Sequence, residues 1–204
     1  MVAIGSSAGG LQPLMSFFDC TPHDQATYII LRHMPFDYQS QLQNILQKHS
    51  KLIIVEAKNE TIIEKDTIYM PPASMYMTIK EDRLYLQKRT KETLFPNWSI
   101  NVFFNSLADA KGKKSIAIIL SGAGSDGSKG AVSVSQAGGM VIAQTPDSCQ
   151  HSSMPKNVIK TGIVDHILPT IEMPHIVLQH VNTILKNANE VQKLLTIGRK
   201  NLRA

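Results

Sequence analysis

Close to the amino terminus, Gly5-Ser6-Ser7-Ala8-Gly9-Gly10 sets two serines among three glycines, between a short apolar run and an amphipathic one. A glycine-rich turn between a strand and a helix supports two chemistries. Its backbone N–H groups can cradle a phosphate, or the turn can push a serine hydroxyl into the open at the head of a helix. Gly5-Ser6-Ser7-Ala8-Gly9 fits the pattern G-x-S-x-G with Ser7 at its centre. A plain Gly/Ser turn leading into a helix accounts for the same residues.

Two other stretches carry groups that would decide between these readings. In "IILRHMP", His33 follows an apolar run and precedes Met34-Pro35, which should end a strand. A histidine at that point is a candidate general base, or simply a surface or core residue. In "SIAIILSGAGSDGSKGAVSV", Gly122, Gly124 and Gly127 form G-x-G-x-x-G between a strand pattern and a helix pattern, with Asp147 about 20 residues further on. That is the fingerprint of a dinucleotide-binding loop. Asp126 inside the loop opposes this reading, because its carboxylate would face a pyrophosphate. It suits the orientation of a histidine better, and Ser, His and Asp can build a hydrolytic triad in any chain order. Ser7 would then be the nucleophile, His33 the base and later the acid, and Asp126 the group that fixes the imidazole. The backbone N–H groups of Ala8 and Ala123, both in glycine-flanked turns, are the candidate oxyanion donors.

These residues need a scaffold that gathers strand ends. Strands are expected at Val2–Ile4, Thr27–Leu31, Leu52–Ala57, Thr67–Met70, Ser115–Leu120, Val141–Gln144 and Ile163–Ile167. Helical periodicity falls at Leu11–Phe18, Ser40–His49, Ile100–Ala110, Ser128–Ala137, Pro155–Lys160 and Pro174–Lys186. Continuously apolar strands separated by helices predict an α/β fold, a doubly wound and mostly parallel sheet with helices on both faces. Such sheets bind ligands beyond the carboxyl ends of their strands, where Ser7, His33 and Asp126 all fall. "SMYMTIKEDRLYLQKR" alternates, turns at Glu81-Asp82 and alternates again, which predicts an added antiparallel β-hairpin.

With 204 residues, 43% of them hydrophobic, the chain is long enough for one full core. No run of about 18 apolar residues occurs, so no membrane insertion is expected. No signal-peptide pattern is present, and with only Cys20 and Cys149 neither a disulfide framework nor a zinc site is expected, which suits a cytoplasmic protein. No cofactor and no metal are expected. The net charge of +5 is spread along the chain, with small clusters at Lys88, Arg89 and Lys91 and at Arg199, Lys200 and Arg203. Aromatics make up 6% and do not interleave with the basic residues, so no nucleic acid is expected as partner.

"IGSSAGG", "RHMP", "YMPPASMYM", "SGAGSDGSKG" and "AQTPDSCQHSSMPKNVI" occur in an order and spacing that resemble the catalytic domain of CheB-type chemotaxis methylesterases. The resemblance runs to about Leu185. It implies a protein-glutamate methylesterase that acts on methylated chemoreceptors and, in many members, deamidates receptor glutamines. It also implies that Ser7, His33 and Asp126 are the triad and that Ala8 and Ala123 supply the oxyanion N–H groups. Residues 1–186 would be the catalytic domain and 187–204 a tail or linker. No receiver domain accompanies the resemblance, which leaves two arrangements open: a receiver cut away from a longer parent, or another arrangement such as a fusion with the partner methyltransferase. A segment that often reads R-P-S-V-D in the family is Asn97-Trp98-Ser99-Ile100-Asn101 here, without the arginine and the acid, and Ala73 stands where glycine is common. Two other readings stay open at this point: a dinucleotide-binding domain that uses the Gly122–Gly127 loop, and a catalytically silent receptor-binding adaptor.

Overall fold

The computed structural model describes residues 1–33, 41–90 and 97–201, with side chains as far as residue 190. The expected strand stop at Met34-Pro35, the start of the second expected helix at Ser40 and the basic residue Lys91 lie outside the described residues.

Seven strands form one sheet: β1 (Val2–Ser6), β2 (Thr27–Arg32), β3 (Ile53–Glu56), β5 (Thr67–Met70), β8 (Ile116–Ile119), β9 (Met140–Gln144) and β10 (His166–Leu168). Their order is β10-β9-β8-β1-β2-β5-β3, and every neighbouring pair is parallel. Period-two alternation sends successive side chains to opposite faces, both of which are covered, which explains why the interior strands are mainly apolar. Ala3, Ile29, Leu31, Ala117 and Ile119 pack on one face against Phe103 and Phe104 of α3 (Ser99–Lys111), Val134 of α4 (Ser128–Gln136) and Val158 of α5 (Ser153–Ile159). Val2, Ile4, Tyr28, Ile30 and Ile118 pack on the other against Leu14, Phe17 and Phe18 of α1 (Leu11–Asp19), Leu46 of α2 (Leu42–Gln47) and Val177 of α6 (Met173–Asn201). The expected doubly wound architecture is therefore present.

The chain winds outward from β1 in two directions, through β2 on one side and through β8 on the other. The carboxyl ends of β1 and β8 thus diverge at a topological switch point, the crevice where such sheets bind ligands. The hairpin is β6 (Met75–Lys80) and β7 (Arg83–Lys88), extended to a three-stranded antiparallel sheet by β4 (Thr61–Ile62). Its turn has positive φ at both Glu81 and Asp82, the backbone twist a two-residue hairpin needs.

Some element ends differ from the sequence expectation. The two-residue β4 is too short to leave a periodic signal. β10 begins at His166, because Asp165 is spent on both groups of Val141: its carboxylate accepts from Val141 N–H at 2.7 Å and its own N–H donates to Val141 C=O at 2.9 Å. Pro155 is the third residue of α5, where its missing N–H costs no intrahelical bond. The last helix continues past Lys186 to Asn201, while residues 186–190 are all exposed.

Candidate active site

The site lies at the carboxyl edge of β1, β2 and β8. β1 and β2 pair in register to Ser6 opposite Arg32, so Ser7 and His33 are the next residues on adjacent strands. Parallel neighbours run about 4.8 Å apart, which brings the serine turn and the imidazole to one edge of the sheet. Asp126 comes from the loop between β8 and α4 and is 3% exposed, whereas the His33 side chain is 22% exposed.

Asp126 is met by four donors. Its Oδ2 lies 2.7 Å from His33 Nε2 and accepts from Ile100 N–H at 2.9 Å. Its Oδ1 accepts from Asn101 N–H and Gly127 N–H, both at 2.9 Å. Ile100 and Asn101 stand in the first turn of α3, so Asp126 caps a helix other than its own, where the dipole favours an anion. Because a carboxylate only accepts, a neutral His33 ring facing it would hold its proton on Nε2 and leave Nδ1 as the acceptor. No hydrogen bond joins Ser7 Oγ to His33 among the described residues.

Asn101 returns the favour. Its Oδ1 accepts from Gly127 N–H at 3.0 Å and Gly130 N–H at 2.8 Å, closing the amino terminus of α4. Two helices therefore cap one another across the site. At the departure noted at Asn97–Asn101, the neutral amide of Asn101 supplies this acceptor without a second negative charge beside Asp126. The same bonds weigh against a dinucleotide: the Gly127 and Gly130 N–H groups at the head of α4 are already taken by Asn101 and Asp126.

The two candidate oxyanion donors share one geometry. Ser7 C=O accepts from Gly10 N–H at 3.1 Å, and Gly122 C=O accepts from Met154 N–H at 3.0 Å. In a trans peptide the N–H points opposite to the C=O, so the Ala8 and Ala123 N–H groups are turned away from those anchored carbonyls. Among the described residues neither donates to a partner. Gly122 is required here, because a Cβ on it would stand 2.1 Å from Met154 Sδ and 3.0 Å from Ser7 Cβ. Gly9 has φ +70° and would drive a Cβ to 2.9 Å from Ser121 Oγ.

Sequence reasoning passed over Ser121, Gln144 and Asn101. Ser121 N–H donates to Gln144 Oε1 at 2.8 Å, its C=O accepts from Ser7 N–H at 3.0 Å, and its Oγ donates to Ala8 C=O at 3.0 Å. Polar residues inside apolar strand ends were the available signal. Met70 and Met77 pack into separate cores and Met75 is half-buried, so these methionines form no single apolar wall. Met154 is fully buried against Gly122. Among the described residues no group of three or more histidine, cysteine or acidic side chains is placed to hold a metal ion, and no helix is long and apolar enough to cross a membrane.

Fold and site together define a doubly wound α/β domain with a glycine-flanked serine turn and, at its switch point, a partly exposed histidine on a buried aspartate. The sequence model of the family described as CheB methylesterase matches residues 2–177, and the chain belongs to that family. The protein-glutamate methylesterase/protein-glutamine glutaminase of Methanosarcina barkeri is 32% identical over 182 residues, 85% of this chain and 50% of the relative. A probable protein-glutamate methylesterase of Borreliella burgdorferi is 33% identical, over 85% of this chain and 47% of its own length. The crystal structure of the Thermotoga maritima CheB methylesterase catalytic domain superposes with a TM-score of 0.80 at 30% identity, covering 87% of this chain and 96% of that one. The chain spans about half the length of the curated relatives it matches.

Proposed function

We propose that this chain is the catalytic part of a protein-glutamate methylesterase, hydrolysing glutamyl methyl esters on chemoreceptors, with receptor glutamine as a second substrate. The observation that carries this is the His33–Asp126 pair at 2.7 Å, on the strand end next to Ser7. His33 Nδ1 takes the Ser7 proton as Oγ bonds to the ester carbonyl carbon. The Ala8 and Ala123 N–H groups meet the negative oxygen that results; one such donor is worth about 2.7–4 kcal/mol in the transition state. The C–O bond to methoxide then breaks, and the Nδ1 proton leaves with it as methanol. Water attacks the acyl-enzyme, gives its proton to Nδ1 and releases glutamate, and that proton returns to Ser7. Asp126 holds the ring in one tautomer and faces the imidazolium that forms.

Residues 1–186 make up the catalytic domain in this reading and 187–204 lead out of it. In this reading the partners are methylated chemoreceptors and the site of action is cytoplasmic, and the greater length of the relatives supports a receiver or methyltransferase domain in a longer parent. A receptor that presents acidic helices suits the net charge of +5, so binding should weaken as salt is added.

The test is methanol release from methyl-labelled receptor by the parent and by Ser7→Ala, His33→Ala and Asp126→Asn. Release that falls by at least about 10³-fold in each folded variant supports the triad. Release that survives Ser7→Ala overturns it, and a folded parent that binds receptor without turnover would be an adaptor instead.

A further inference from the structure

Three loops build the site: the serine turn, the loop after β8 and the segment from His151 to Met154. They meet at one hydroxyl. Ser121 is fully buried, and its Oγ accepts from His151 N–H at 3.0 Å while its proton faces Ala8 C=O at 3.0 Å and His151 C=O at 3.2 Å. His151 C=O already accepts from Gly122 N–H at 2.8 Å, so the proton is better placed on Ala8 C=O.

We infer that Ser121 is a positioning residue, which sets the Ala8 and Ala123 N–H groups at the separation one oxyanion requires; this rests on the hydrolytic reading above. Any residue at 121 would offer the backbone C=O that Ser7 N–H uses. Only a small side chain that both donates and accepts can serve Ala8 and His151 together, in the space left by the absent Cβ of Gly9. The first bond fixes the peptide after Ala8, while Gly10 N–H fixes the peptide before it. The second ties down the segment whose Met154 N–H and His151 C=O bracket Gly122. Both donors are thus referred to a single atom. Ser121 is itself held from β9: Gln144, 2% exposed, accepts Ser121 N–H and spends its own Nε2–H groups on the backbone and hydroxyl oxygens of Ser148, both at 3.1 Å. Ser121 reaches no reacting atom, so its effect passes through the loops.

The prediction is a loss in kcat rather than in binding. Ser121→Ala should lower kcat about 10- to 100-fold, as for displacements of up to about 1 Å of catalytic groups, with KM within about twofold. The shape of the pH profile should be unchanged, because His33 and Asp126 keep their partners. Ser121→Thr, which restores the hydroxyl, should recover most of the loss, and Gln144→Leu should lower kcat about three- to tenfold. Parent and Ser7→Ala are run beside these variants on methyl-labelled receptor, and amide exchange is followed at His151 and Gly122. Faster exchange at both amides together with the kcat loss is the expected result. A parent without Ser7-dependent turnover overturns the hydrolytic reading and the catalytic part of this inference with it. A parent that is active, with folded Ser121→Ala matching its kcat or failing only in KM, overturns this inference alone. Should Ser121→Ala not fold, Gln144→Leu with parental kcat does the same.

Discussion

The two edges of the sheet each bury a carboxylate, and the pair repays comparison. At the carboxyl edge Asp126 is 3% exposed and meets His33 and three backbone N–H groups. At the amino edge Asp24 is 4% exposed; its Oδ1 accepts from Ala26 N–H at 2.9 Å and its Oδ2 from the Tyr28 hydroxyl at 2.5 Å. Both acids are nearly sealed from water and both oxygens of each are occupied, so burial and hydrogen bonding do not tell them apart. Their partners do. Tyr28 is fully buried between Phe17 and Phe18, and burial, then the charge of Asp24, holds its phenol far above the ordinary tyrosine range. Its proton goes nowhere. His33 reaches the surface with a ring nitrogen to spare, beside a serine turn. A buried acid becomes functional when the group it orients can pass a proton to something outside.

The largest effect that tests this contrast comes from Asp126→Ala. Four donors lose their acceptor, and we expect kcat to fall about 10⁴-fold with a stability loss of about 3 kcal/mol from the unsatisfied buried groups. Asp24→Ala should cost about the same stability while the folded fraction keeps its kcat. Turnover and denaturant unfolding on both proteins check the pair, and a kcat loss of similar size in Asp24→Ala would break the comparison. Next in size is Asn101→Ala, which uncaps α4 at about 1–2 kcal/mol. It should reduce kcat about three- to tenfold, because Gly127 adjoins Asp126 and loses one of its anchors. Tyr28→Phe is smaller still. It leaves Asp24 short of one donor, at about 1–2 kcal/mol in unfolding free energy, and turnover should not change.

Much of this arrangement was legible in the residues, for identifiable reasons. Apolar strands and amphipathic helices gave the doubly wound sheet, glycine-flanked polar turns offered Ser7 and Asp126 as candidates, and a strand end before Met34-Pro35 offered His33. What stayed hidden depends on contacts between distant segments. Nothing near Asn101 in the chain says that its amide closes a helix beginning at residue 128. Ser121 reads locally as the first residue of a glycine loop, yet its partners are Ala8, Gln144 and His151. In the loop's own residues only Asp126 opposed the dinucleotide fingerprint, because whether a helix terminus is free for phosphate is decided by a residue 26 positions away. The run of α6 beyond Lys186 was also missed, since residues 186–190 are exposed and give no apolar stripe to read.

The smallest expected effect lies on α6, away from both acids, and it carries the comparison to pH. His180 is half-buried with Nε2 lacking a partner, and burial lowers its pKa below the ordinary 6.5, against an opposing hydrogen bond with the Lys113 backbone. Above 6.5 the ring is neutral in folded and unfolded chains alike, and the fold keeps its full stability. As pH falls through 6.5 the unfolded chain takes up the proton first, so stability declines until the folded ring is protonated too. The parent should therefore lose more Tm than His180→Gln between about pH 8 and about pH 5, by a small margin because the ring is partly solvated. Methanol release should show no such difference between the two proteins, since His180 touches neither the serine turn nor the His33–Asp126 pair. A shift in the pH profile of turnover on replacing His180 would mean that the amino edge speaks to the site after all, and the division of labour between the edges would fall.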